Sequence, residues 1–164
     1  MKEIWDARLA DGTLTGGTLI RGEEIPAGLY HLVCETIIRH RDGDYLLMQR
    51  DIRKEAYPGY WEIGAGGSAL RGEDPLTCIR REVREETGIG SGEFTLIGTA
   101  LHESSIFHSF LCVTDWDKSA VTLQEGETTA YRWISEGEML AFIRSDKAIP
   151  SQMKRFAPYL DTCL

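Results

Sequence analysis

Residues Gly67 to Ile89 read GSALRGEDPLTCIRREVREETGI. Asp74-Pro75 marks a helix start, because aspartate caps free amides and proline fits the first helical position, where no amide hydrogen is needed. Gly88 marks the stop. At about 100° per residue, Leu76, Ile79 and Val83 fall within one arc, which must be the buried side. Glu82, Glu85 and Glu86 fall within a neighbouring arc, while Arg80 and Arg84 point elsewhere. Three carboxylates beside a core-facing stripe repel one another and weaken the helix unless a partner joins them. A hard divalent cation is the natural partner, since Mg²⁺ takes carboxylate oxygens, keeps waters and shares its remaining positions with phosphates. The plain alternative is a solvated acidic face, but these carboxylates adjoin the apolar stripe instead of opposing it.

Outward from the helix, the spacing is glycine, five free positions, Glu, seven free positions, Arg-Glu-aliphatic, one free position, Glu-Glu, one free position, Gly-aliphatic. Gly67, Glu73, Arg81, Glu82, Val83, Glu85, Glu86, Gly88 and Ile89 fill every specified position. This stretch resembles a complete Nudix box, the signature of hydrolases acting on nucleoside diphosphates linked to another moiety. Trp61-Glu62 before the box and Trp133 after it are also family-like. The resemblance implies an α/β protein, an α/β/α sandwich with a central mixed β-sheet.

Strand and turn signals agree with that architecture. Residues 3–21 read as an N-terminal β-hairpin arm turning at Asp11-Gly12. His31–Arg39 and Tyr45–Arg50 read as strands joined at Asp42-Gly43, and Trp61–Ile63 as a short strand before the glycine turn 64–67. The box helix is expected over Pro75–Thr87. Phe94–Leu101, Ile106–Thr114 and Tyr131–Ile134 read as further strands. Ser135-Glu136-Gly137-Glu138 is a capping box opening a second helix, and a short third helix is expected over Ser151–Phe156. One domain over residues 1–164 is expected.

Composition bounds the partners. The 164 residues carry a net charge of −8 with 42% hydrophobic residues, which fits a globular acidic protein and argues against duplex nucleic acid. An acidic protein that takes an anionic diphosphate needs a bridging cation. No apolar run approaches a membrane span, no secretory leader is evident at the N-terminus, and the four cysteines form no CxxC pair, so a reduced, cytoplasmic protein is expected. The hairpin arm offers an edge through which two copies could form a homodimer.

The resemblance assigns roles residue by residue. Glu86, Glu82 and Glu85, in that order, are implied as ligands of Mg²⁺, with Mn²⁺ able to substitute, and the carbonyl of Gly66 as a further ligand. Gly64-Ala65 stands where many members have a proline-containing turn. Arg81 is expected to orient a carboxylate, and Glu73 to support the helix start. Metal lowers the pKa of a bound water, and a carboxylate takes the proton. That base is Glu85 or a glutamate outside the box, Glu127 or Glu125, with Glu103 a weaker option. Arg50 and Arg53, clustered with Lys54, are candidates for substrate phosphate. Trp5, Tyr30, Phe107 and Trp116 are candidates for stacking on a base.

Two other functions compete. The N-terminal layout is similar to the branch of the superfamily that isomerises isopentenyl diphosphate. That branch needs a cysteine and a histidine before the helix, whereas residues 62–68 read EIGAGGS; His31 alone reads as a strand-start residue. A non-catalytic nucleotide sensor is the other alternative, but such proteins typically lose box glutamates, and all are kept here. Substrates left open are ADP-ribose, a nucleoside triphosphate, a CDP-type compound and a dinucleotide.

Overall fold

Helix α1 spans Pro75–Thr87, as its caps dictate. The Asp74 carboxylate accepts the Thr77 amide at 2.7 Å, and Gly88 adopts the left-handed conformation (φ 77°) and donates its amide to Arg84 O at 2.9 Å. Cys78, Ile79 and Val83 are buried, and Leu76 is half-buried. Asp74→Ala removes the cap and is expected to lower stability by about 1 kcal/mol, read as a lower denaturant midpoint at unchanged m.

The computed structural model describes residues 1–163. β3 (His31–His40) is central and runs parallel to β8 (Ser105–Thr114) along its whole length, from His31↔Ser105 to His40↔Thr114. β7 (Glu93–His102) pairs antiparallel with β8. β4 (Tyr45–Arg50) lies between β9 (Thr128–Ile134) and β5 (Trp61–Ile63), antiparallel to both. β3 and β4 meet only at Arg39↔Tyr45. Beyond that pair they part, and β5 and β6 (Ala65–Ser68) enter the gap, β5 on β4 and β6 on β3. Gly64 makes this crossing with φ 66°, and a Cβ there would stand 1.8 Å from the Thr36 carbonyl oxygen.

The glycine run is therefore not only a turn: residues 65–68 form a ladder on Val33–Thr36. Side-chain alternation could not announce that strand, because Gly66 and Gly67 have no side chains to alternate. A Cβ on Gly66 would meet Cys34 O at 2.5 Å, so the bare backbone is what lets β6 lie there. β9 begins at Thr128, three positions before the expected Tyr131. α2 (Glu136–Ile143) opens on the complete Ser135–Glu138 capping box. α3 (Pro150–Cys163) runs well past the expected Phe156 and through Pro158. Burial of Phe156 and Leu160 against the sheet outweighs the bond that proline removes.

Adjacent residues of the central strands are buried on opposite faces, the pattern of a sheet covered on both sides. Leu46 and Met48 join Ile79 and Val83 of α1, while Tyr45 and Leu47 join Met139 of α2 and Phe156 of α3. The result is the α/β/α sandwich. β1 (Ile4–Arg8) and β2 (Leu14–Ile20) form a separate two-stranded sheet. This arm turns Trp5, Ala7 and Leu19 onto Ile25 and Leu29 of its own chain. Arg8 and Tyr30 exchange backbone hydrogen bonds of 2.9 Å. Cys34, Cys78 and Cys112 are buried free thiols; the side chain of Cys163 lies outside the described residues. Among the described residues no helix is long and apolar enough to cross a membrane.

Candidate active site

α1 packs its acidic edge against β6, and the two border a polar cleft of about 240 Å³. Glu82, Glu85, Glu86, Glu127, Lys54 and Arg81 line it, together with the backbone of Gly66 and Gly67. Glu86 is 6% exposed, and its carboxylate has no hydrogen-bond or ion-pair partner among the described residues. Burial, and after it the negative charges of Glu62, Glu82 and Glu127, push its pKa well above the usual carboxylate value. Glu82 is also raised, by burial, with Arg81 opposing. Glu62 on β5 is raised by burial despite its 3.1 Å pair with Arg50.

Arg81 organises one wall. Its guanidinium grips both oxygens of Glu73 (2.6 and 3.0 Å), donates to Glu82 at 2.8 Å and Glu85 at 3.2 Å, and reaches Ser68 O at 3.1 Å. Glu73 is thus the anchor of Arg81, a role beyond the helix-start support that its sequence position suggested. Burial raises the Glu73 pKa, but the Arg81 hydrogen bonds and the Leu70 amide outweigh it and hold the group below the usual value. A Cβ on Gly67 would be 2.4 Å from the Glu82 carboxylate, so a side chain there would displace that carboxylate.

This donor set fits a hard divalent cation. It consists of oxygens, it is buried and negative, and Glu86 lacks any cationic side chain of its own. Among the described residues, however, no three acidic, histidine or cysteine side chains converge on one point. Glu82 and Glu85 are turned toward Arg81.

The NUDIX domain family matches residues 30–159. The chain belongs to the Nudix family. It is 37% identical over 153 residues to an uncharacterized Nudix hydrolase of Listeria monocytogenes, covering 90% of this chain and 89% of the relative. An isopentenyl-diphosphate Delta-isomerase of Corynebacterium diphtheriae is 31% identical over 75 residues, 46% of this chain and 41% of that one, consistent with the resemblance to that branch. The fold matches a crystal structure from Deinococcus radiodurans with TM-score 0.74 at 19% identity, covering 98% of this chain and 99% of that one. It also matches the NUDIX domain of Shewanella oneidensis NrtR complexed with ADP ribose, with TM-score 0.57 at 16% identity over 68% of this chain and 77% of that one. The chain is accordingly a hydrolase of the Nudix class, a pyrophosphohydrolase, and Nudix hydrolases generally use divalent metals.

Against this Nudix frame, the other expected residues separate. Glu127 lines the cleft, half-buried and paired with Lys54, whereas Glu125 is exposed and lines neither this cleft nor its neighbour. Glu103 sits exposed in the β7–β8 turn. Arg50 borders a second cleft of about 230 Å³, which shares Val33, Gly66 and Gly67 with the first. Arg53 turns away to Asp51, at 2.6 and 2.9 Å, and Lys54 enters the site instead. Phe107 lines the second cleft beneath the Arg155 guanidinium, 4.0 Å from its ring centre. Trp5 stacks on His31 at 4.1 Å, and Tyr30 and Trp116 pack against the core on the α1 side. His31 is bonded to the Ser105 hydroxyl at 2.8 Å, as a strand-start residue.

Three site residues had no assigned role in the sequence. Glu62 faces the α1 side because its cross-strand partner is Met48, which alternation along Trp61-Glu62-Ile63 hinted at. Glu35 and Arg155 form a bidentate pair, at 2.5 and 2.9 Å, 120 residues apart in sequence; no local pattern could join them.

Proposed function

We propose that the chain hydrolyses the pyrophosphate bond of a nucleoside diphosphate linked to another moiety, with Mg²⁺ as its metal and Mn²⁺ able to replace it. The observation that carries this reading is the unpartnered, buried Glu86 carboxylate amid Glu62, Glu82 and Glu127. Glu86, Glu82 and Glu85 are the side chains proposed to hold the ion, with the Gly66 carbonyl. Bound there, a divalent cation supplies positive charge against the diphosphate and lowers the pKa of a water.

Arg81 pairs with Glu82 and Glu85, and an ion in the cleft would share their oxygens with it. Glu127 is the preferred base: Glu125 lies outside the cleft, and Glu85, which also borders it, is turned toward Arg81 and assigned to the ion. Water oxygen bonds to one phosphorus, the bridging P–O bond breaks, and the proton passes to the carboxylate. Lys54 is held by Glu127 in the same cleft, a cation beside that carboxylate until it takes the proton. The nucleoside is assigned to the second cleft, where Phe107, covered by Arg155, supplies an apolar wall and Arg50 a cation for phosphate. ADP-ribose is one candidate, since a Nudix domain of the same fold is complexed with it. Pairing of two arms through the exposed strand β2 is the proposed route to a homodimer.

A panel of nucleoside diphosphate compounds tests this, scored by product identity. Mg²⁺ is expected to give a nucleoside monophosphate and a phosphorylated fragment, and excess chelator to abolish both. Turnover that survives chelation removes the metal from the mechanism.

A further inference from the structure

The family match begins at residue 30, yet the acidic cleft is closed on one side by the arm that precedes it. Glu3 and Arg21 both line that cleft. The arm is seated firmly there. Arg71 donates its amide to Ile4 O at 2.9 Å, Gly72 its amide to the Asp6 carboxylate at 2.8 Å, and Trp5 lies on His31. Glu3 adds to the negative field on Glu82, and Arg21 acts on His31.

The cleft lining holds three cations, Arg21, Lys54 and Arg81. Arg81 is committed to Glu73, Glu82, Glu85 and Ser68, and Lys54 is committed to Glu127. Arg21 makes one side-chain contact, Nη1 to the Glu3 carboxylate at 3.0 Å. Its other guanidinium N–H groups have no partner among the described residues, and its side chain is 62% exposed. An anion entering this cleft meets one guanidinium that is both exposed and able to offer a planar fork to phosphate.

We propose that Arg21 is a substrate-binding residue: it leaves Glu3 and takes the phosphate of the diphosphate that lies farther from the nucleoside cleft, so that the arm is part of the active site. This rests on the metal-dependent pyrophosphohydrolase reading above. Glu3 then competes with substrate for the same guanidinium, and the two partners of one ion pair have opposite effects on binding. A pair that merely fastens the arm would make both substitutions act alike, and a field effect alone would leave Arg21→Lys at wild-type affinity, whereas loss of the planar fork weakens it.

Methylenediphosphonate, a diphosphate with an uncleavable bridge, is the probe, titrated calorimetrically with and without Mg²⁺ into wild type, Arg21→Gln, Arg21→Lys and Glu3→Gln. Hydrogen exchange at the Arg71 and Gly72 amides, which donate to Ile4 and Asp6 of the arm, checks that the arm stays seated. Arg21→Gln is expected to weaken binding by about tenfold and Glu3→Gln to tighten it by about threefold, the scale of one charge-assisted contact. Unchanged affinity in Arg21→Gln or Arg21→Lys, or weakening in both Arg21→Gln and Glu3→Gln, overturns the proposal. If Mg²⁺ fails to strengthen binding in wild type, the metal reading has failed, and the metal-free titration judges Arg21 by the same opposite signs.

Discussion

Glu86→Gln lowers turnover by about a thousandfold at saturating Mg²⁺, equivalent to about 4 kcal/mol of barrier. The amide keeps the shape of the side chain and removes the charge that a cation would neutralise. The same substitution stabilises the metal-free chain at neutral pH. Ionising Glu86 works against burial and the charges of Glu62, Glu82 and Glu127, so its charged form opposes folding. Its folded-state pKa lies above the unfolded value of 4.5. The folded chain therefore binds the proton more tightly than the unfolded chain, and the stability this provides is complete below pH 4.5. It is lost as pH rises from there through the raised folded value. The Tm advantage of the metal-free variant over metal-free wild type should grow through that window and then level off. Wild-type rates in the variant, or a lower metal-free Tm at pH 7, contradict this assignment. If the cleft holds a cation as proposed, stability gained by neutralising Glu86 is activity lost.

Gly64→Ala is expected to cost at least about 4 kcal/mol and to lower Tm by at least about 10 °C. Two effects act at this position. The backbone is left-handed at φ 66°, and the added methyl would fall 1.8 Å from the Thr36 carbonyl oxygen, inside the sheet. Backbone on both sides is held by ladders, so neither can yield without parting β6 from β3 or β5 from β4. Gly12→Ala is the control. It has a left-handed φ of 90° but no atom within 4 Å of the added methyl, so only the backbone preference is lost, about 1–2 kcal/mol. Equal melting temperatures for the two variants would show that the crossing at Gly64 is not a steric constraint. Loss of activity should accompany the Gly64 change, because the same crossing carries Gly66 and Gly67 to the carboxylates.

Much of the site was legible because helix geometry is local. Asp74, Pro75 and Gly88 bound α1, and a fixed turn per residue set Glu82 and Glu86 beside Ile79 and Val83 before any packing was known. Residues outside that helix were less legible. Arg50, Arg53 and Lys54 formed one basic cluster in sequence, but Asp51 captures Arg53 while the loop turns Lys54 into the cleft. Glu125 and Glu127 are two residues apart, and only the start of β9 at Thr128 brings the second of them to the site.

From the order of residues alone came the helix, its caps, its three aligned carboxylates, the chemistry that such a set invites, and strands whose alternation declared a sheet covered on both faces. The groups brought near those carboxylates were decided by the tertiary structure: Glu62 from β5, Glu73 gripped by Arg81, and Arg21 on the cleft wall from an arm seated on the loop before α1. The physical reason is one of range. Capping and helical periodicity act over a few bonds and are written in neighbouring residues, whereas the field around a buried charge is the sum over groups that only chain crossing brings within a few ångströms.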